Sequence, residues 1–146
     1  MATEKTYDTL GSHRFHIEID GVIQGGFKTM SGLGSKQDVI EYKLGGDRSV
    51  RRKPGRVAFN NIVLEKGYTT GTELFDWRKS MLEGTDDRKN GAIIVMNDDG
   101  SQAARWDFFR AWPVTWEGPN LTAGASESAV EKVELAVEWI EQGTTQ

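Results

Sequence analysis

The sequence has no cysteine and only two histidines among its 146 residues. Without cysteine there are no disulfide staples and no thiolate metal sites, and a reducing, cytoplasmic origin is the default expectation. Long hydrophobic runs are missing too. The longest, Ala92 to Met96, has five residues, against about 20 for a helix that crosses a bilayer, so no membrane insertion by this chain is expected. Met1 to Leu10 (MATEKTYDTL) is polar and carries no apolar stretch of a secretory leader. No G-x-S-x-G elbow, P-loop or dinucleotide glycine pattern occurs, and Gly25-Gly26 is not followed by a helical segment.

The remaining candidates for chemistry are weak. His13 and His16 lie three apart in an extended segment, which sends them to opposite faces and prevents easy sharing of a metal. Asn97-Asp98-Asp99-Gly100 is acidic like a calcium loop, but the twelve-residue frame and its closing glutamate are missing, so it reads as a turn. Carboxylates are plentiful, yet no pair is marked out for glycoside hydrolysis. No catalytic, cofactor-binding or metal-ligating set is expected, and no cofactor.

What is present is apolar bulk and uneven charge. Hydrophobic residues make up 37% of the chain, and 5 Trp, 6 Phe and 3 Tyr supply large side chains, enough for one well-filled core. The length fits a single domain, 1–146. The net charge of −4 conceals a lopsided distribution. Residues 45–66 hold six Lys or Arg against two acids, while residues 113–146 hold one Lys against six Glu. Opposite patches of this kind suit either solvated faces of a monomer or self-association.

Along the chain, period-two alternation dominates. Phe15, Ile17 and Ile19 alternate with polar neighbours, and Asp20-Gly21 then predicts a hairpin turn. Residues 25–35 are rich in Gly and Ser and predict an irregular strand with a bend. Ile40, Tyr42 and Leu44 share one side of a further strand. Gly45 to Gly55 (GGDRSVRRKPG) is bracketed by glycines and nearly devoid of apolar residues, which predicts a long, exposed, basic loop over 45–56. Val57 to Lys66 predicts a strand interrupted at Asn60-Asn61. Glu73 to Glu83 is the one clear helix, bounded at 72–83: Thr70 and Glu73 have capping-box spacing, Leu74, Trp77 and Met81 share a face, and Gly84 follows. Ala92 to Met96 and Ala103 to Trp112 predict two strands around the Asn97–Gly100 turn, with Pro113 and Pro119 outside any central strand. For Ala129 to Glu141 the spacing fits both a strand and a helical stripe, and Val and Trp enrichment favours the strand.

Two clusters stand out as binding elements. Arg48, Arg51, Arg52, Lys53 and Arg56 place five cations in nine residues with no acid between them. Nucleic acid is a poor fit, because the chain as a whole is acidic and no aromatic side chain interrupts the run to stack a base. A negatively charged protein partner fits better, and another copy of this chain supplies acidic residues near its C-terminal segment. Trp106, Trp112, Trp116 and Trp139 could form the sugar-stacking platform of a carbohydrate-binding β-sandwich, although core or subunit-interface packing is the commoner use of such residues.

The ordered set Phe15-x-Ile17-x-Ile19-Asp20-Gly21, Gly26-Phe27, Ser31-Gly32-Leu33, Ile40-Glu41-Tyr42, Gly45-Gly46, Pro54-Gly55 and Ile62-x-Leu64-x-Lys66-Gly67 resembles the tail tube proteins of contractile phages and phage-tail-like contractile injection systems. The likeness continues through Leu74-Phe75-x-Trp77, Trp106, Ala111-Trp112-Pro113, Trp116-x-Gly118-Pro119-x-Leu121 and Glu131-x-Val133-Glu134-Leu135, covering about residues 13–141. The resemblance implies a mainly β fold, an antiparallel β-sandwich or barrel with one α-helix, in which the C-terminal segment is a strand. It implies no catalysis. It implies six-membered rings stacked into a hollow tube inside a contractile sheath, with a sheath protein, baseplate and tube-terminating proteins as partners and protein or DNA cargo in the lumen. Assembly would take place in the cytoplasm, as part of a particle that is released or membrane-anchored. It also implies that the loop bearing Arg48, Arg51, Arg52, Lys53 and Arg56 reaches a neighbouring subunit or the adjacent ring. Reversing the charge at Arg51 and Arg52 is then expected to prevent stacking and leave the fold intact.

The dimensions are compatible with this. A compact domain of this length has a radius of gyration of about 15 Å, equivalent to a sphere about 38 Å across. Six touching spheres enclose a hole about one sphere wide, enough for duplex DNA or a small or unfolded protein.

Overall fold

The computed structural model describes residues 14–68, 71–124 and 129–143, apart from the side chains of Val22 and Ile23. The polar segment 1–12, His13 and Thr70 lie outside the described residues. Among the described residues, ten strands and one helix follow in the order β1 (Phe15–Ile19), β2 (Val22–Gln24), β3 (Phe27–Ser31), β4 (Ser35–Tyr42), β5 (Arg51–Phe59), β6 (Ile62–Gly67), α1 (Glu73–Leu82), β7 (Lys89–Met96), β8 (Gln102–Glu117), β9 (Val130–Ala136) and β10 (Trp139–Gln142).

Eight strands form one strongly bent antiparallel sheet in the order β2-β1-β7-β8-β9-β6-β3, with β10 pairing β8. The long strand β8 serves two layers: its first half pairs with β7 and β10 and its second half with β9. The change comes near Arg110, which adopts φ +53° and whose backbone N–H donates to the Asn90 side-chain oxygen at 2.9 Å. Bending one strand through a bulge lets the two layers face each other across a single core. The result is sandwich-like and is not a closed barrel.

Alternation in the sequence fixes which side chains enter that core. Ile17 pairs with Ile93 across β1 and β7, Leu64 with Val133 and Ile62 with Leu135 across β6 and β9, and all six are buried. Phe108, Ala111, Leu74 and Trp77 complete the cluster. One ion pair is enclosed with them. Lys66 and Glu131, 6% and 2% exposed, approach to 3.7 Å. The second Glu131 oxygen accepts the Trp116 indole N–H at 2.8 Å, and the Lys66 ammonium lies over the Phe27 ring.

Several sequence expectations hold. Asp20 and Gly21 both have positive φ, +51° and +80°, as a two-residue β1–β2 hairpin requires. Asn97–Gly100 is a tight turn, closed by Asn97 N–H to Ser101 O and Gly100 N–H to Asn97 O. The C-terminal segment is two strands, β9 and β10.

Others need correction. The helix has Thr72 at its N-cap position, with no side-chain bond to the first-turn backbone; its hydroxyl donates to the Asp76 carboxylate at 2.9 Å, and the capping box expected from Thr70 falls outside the described residues. Val57–Lys66 is not one strand: β5 ends at Phe59 in a separate two-stranded sheet, and β6 opens at Ile62 in the main one. At the joint between them, Gly32, at φ +99°, presses so closely on the Asn61 carbonyl that a Cβ has no room. Pro113 lies inside the central strand β8, opposite Leu135, where a shift of register between Pro113 and Thr115 relaxes the ladder.

Candidate functional site

Half of the expected basic loop over 45–56 is strand: β5 takes 51–56, and 45–50 lie in the connection. β4 and β5 pair from Ser35–Phe59 through Tyr42–Arg51, leaving 43–50 as the connection. This hairpin is a sheet of its own, and its residues are exposed on both faces. The period-two test could not find β5, because a strand wet on both sides need not alternate.

Cross-strand pairing sorts its side chains. Ile40 opposes Lys53 and Tyr42 opposes Arg51 on one face, while Val39 opposes Pro54 and Glu41 opposes Arg52 on the other. The five basic residues therefore do not make one continuous patch. Arg51 bonds Asp47 at 2.8 Å, Arg52 pairs with Glu41 at 3.4 Å, and the Lys53 ammonium sits 5.6 Å from the Tyr42 ring centre. Among the described residues, Arg48 and Arg56 have no such partner. The Arg51 guanidinium, helped by the Leu44 N–H, holds the Asp47 carboxyl below its usual range, and Asp47 raises the Arg51 value in return.

Sequence reasoning missed the apolar part of this surface. Val39, Ile40, Tyr42, Leu44, Val50 and Val57 are all at least 40% exposed. An isolated two-stranded hairpin is at best marginally stable in water, and contiguous exposed apolar side chains mark interaction surfaces. The hairpin also holds seven of the 18 Lys and Arg and three of the 22 Asp and Glu, so it carries +4 and the rest of the chain −8. At its root, Phe59 packs on Trp139 with ring centres 4.7 Å apart. Leu33, Phe59, Trp106 and Ile140 line a cavity of about 230 Å³ there.

The tryptophans do not form a platform. Trp116 bonds Glu131 beside the core, Trp106 opposes buried Ile93, Trp139 meets Phe59, and Trp112 pairs with Ala136 on the far side of its sheet. His16 lies on β1 opposite Ile94. No group of three His, Asp or Glu suited to a metal occurs among the described residues, and no helix there is long and apolar enough to cross a membrane.

No curated protein sequence matches the chain. Among solved structures, the chain is similar to a protein of the PVC sheath-tube complex of an extracellular contractile injection system, at 27% identity and TM-score 0.86, covering 95% of this chain and 94% of that one. It resembles a protein of the anti-feeding prophage tube-terminating cap in fold, at 24% identity and TM-score 0.86, covering 99% and 97%. A more distant likeness of fold joins it to Hcp1 from Flavobacterium johnsoniae, at 19% identity and TM-score 0.56, covering 88% and 94%. The family model described as T4-like virus tail tube protein gp19 matches residues 11–141, nearly the whole length, and the chain belongs to that family of tail tube proteins.

Proposed function

We propose that this chain builds the inner tube of a phage tail or phage-tail-like contractile injection particle, as six-membered rings stacked into a conduit for cargo. The observation that carries the reading is the β4–β5 hairpin. It is a two-stranded sheet with both faces wet, six exposed apolar side chains and a charge opposite to that of the body that bears it. Such an element gains its missing burial and its counter-charges at once by lying on another copy of the same chain. Head-to-tail contacts of this kind generate rings, and a constant rotation between rings generates an open-ended filament. Arg48, Arg51, Arg52, Lys53 and Arg56 act at this interface. Arg48 and Arg56 reach the neighbour, while Arg51, Arg52 and Lys53 also hold the hairpin in shape.

Within the particle, the tube is surrounded by a sheath protein, starts from a baseplate and ends in a terminating protein. The similar structures, taken from sheath-tube, cap and baseplate assemblies, support this. Assembly occurs in the cytoplasm, consistent with a chain free of cysteine. Size-exclusion chromatography and negative-stain imaging of the purified protein, at low and high salt, test the reading. Rings or tubes that loosen as salt rises are expected, whereas a strict monomer at high concentration, even with its baseplate supplied, refutes it.

A further inference from the structure

Resting on the tube reading, we infer that Leu121 of one copy plugs the cavity at the hairpin root of the next, so that successive copies lock head to tail. Each half of this contact is left unfinished within a single copy. The cavity, about 230 Å³, opens between the hairpin root and the main sheet. Leu33, Trp106 and Ile140 line it, and all three pack against the core while staying only half-buried. Phe59 adds a further apolar wall, and Ser35 and Gln142 supply polar groups. An engineered apolar cavity of about 150 Å³ stays dry and binds benzene, so this one has ample room for a leucine side chain.

Leu121 is the most exposed large apolar side chain among the described residues, at 80%. A single exposed leucine is ordinary; what gives this one a role is where it stands. Gly118 crosses the Trp116 ring so closely that a Cβ would lie 2.9 Å from it, and Pro119 fixes the next φ, so the chain leaves β8 in a defined direction. Strand order sets which end that is. β6 begins beside the hairpin at Ile62 and ends at Gly67, about 17 Å further on at about 3.4 Å per residue. On its neighbours, Pro113 and Leu135 mark the hairpin end, and Glu117 and Lys132 lie toward the other. Leu121 follows Glu117 out of the far end, whereas the cavity sits at the near one. A knob and a hole on opposite ends do not meet in a two-fold pair. They meet between copies that follow one another, the heterologous contact that builds open stacks.

Charge runs the same way. Residues 117–124 contain Glu117 and no Lys or Arg, whereas Lys36 and Arg56 stand on the hairpin strands close to Ser35 and Phe59 at the cavity. Opposite charges around an apolar anchor favour this docking and oppose one in which like ends meet. The cavity is also continuous with the hairpin surface, because Phe59, which lines it, is the last residue of β5. A neighbour seated on the cavity therefore lies within reach of the exposed hairpin side chains. One docking fills the hole, covers the leucine and brings the hairpin onto the same copy, with the apolar contact at the centre and the charges around it.

The lack of native cysteine allows a direct test. Tubes of the Ser35→Cys, Leu121→Cys double variant, assembled under reducing conditions and then oxidised, should yield a ladder of covalently joined copies on a denaturing gel, and neither single variant should. Leu121→Asp should abolish tubes and leave the melting temperature of unassembled protein unchanged, because the side chain is exposed there. Leu121→Ala should raise the protein concentration needed for tubes by between about tenfold and about a hundredfold, the effect of burying a leucine, and Leu121→Met should restore most of the loss. Absence of tubes in the unaltered protein refutes the assembly reading and the plug with it. Tubes whose double variant gives no ladder, a ladder from either single variant, or normal tubes from Leu121→Asp overturn the plug and leave the tube reading standing. Should the double variant fail to assemble, Leu121→Ala decides: an unchanged critical concentration overturns the plug.

Discussion

The buried Lys66–Glu131 pair sets the most quantitative expectation. Replacing Lys66 with Met removes the ammonium and leaves the Glu131 carboxylate, 2% exposed, with only the Trp116 N–H as a described partner. Breaking a buried pair from one side costs about 3–5 kcal/mol, which in a domain of this size lowers the melting temperature by about 10 °C. Glu131→Gln should cost a similar amount, since it preserves an acceptor for Trp116 but strands the Lys66 ammonium over Phe27. The double change, Lys66→Met with Glu131→Gln, removes both charges and keeps the indole hydrogen bond. It should therefore cost far less than the two single changes added, giving a coupling energy of at least about 2 kcal/mol. Urea denaturation of unassembled protein, followed by tryptophan fluorescence, measures all four corners of the cycle. Single-variant costs below about 1 kcal/mol, or strictly additive costs, would refute the placement of an enclosed, interacting pair.

The hairpin yields a second expectation: Arg48→Glu with Arg56→Glu should abolish stacked tubes in electron micrographs without altering the circular dichroism spectrum, and tubes of normal length would count against the hairpin's role. Reversal at Arg51 and Arg52 is less clean, because it also sets new carboxylates against Asp47 and Glu41; fraying of the hairpin, seen as faster amide exchange over 43–52, should accompany it. Acidification should act through Asp47. Its carboxyl is depressed in the folded state, so its support of the hairpin is complete above the ordinary carboxylate value of about 4 and fades as pH falls through the lower folded value; Asp47→Asn should remove that part of the pH response. Gly91→Ala should destabilise the domain by at least about 2 kcal/mol, because the added methyl would overlap the Glu18 carbonyl and the Phe108 ring; a melting temperature within 2 °C of the parent would contradict the close approach.

Sequence alone determined the buried side of β1, β6 and β9, since period-two alternation is a local property and a strand with one wet face displays it, whereas Ile40 and Tyr42 alternate on a strand that buries neither face. Ile17, Ile19, Leu64, Val133 and Leu135 were legible in that way, as were the Asp20-Gly21 and Asn97–Gly100 turns, whose residue types answer to backbone geometry. The family, too, was legible in the ordered motifs. What the tertiary structure decided is where local patterns are silent. Arg51–Phe59 looked like a loop because both of its faces are wet, and Pro113 looked like a breaker because the register shift that accommodates it depends on β9. Whether five neighbouring cations form one patch or divide between two faces depends on the pairing partner across the hairpin, and only β4 supplies it. The enclosure of Lys66 with Glu131, 65 positions apart in the chain, likewise follows from β6 meeting β9, a long-range pairing that no window of sequence contains.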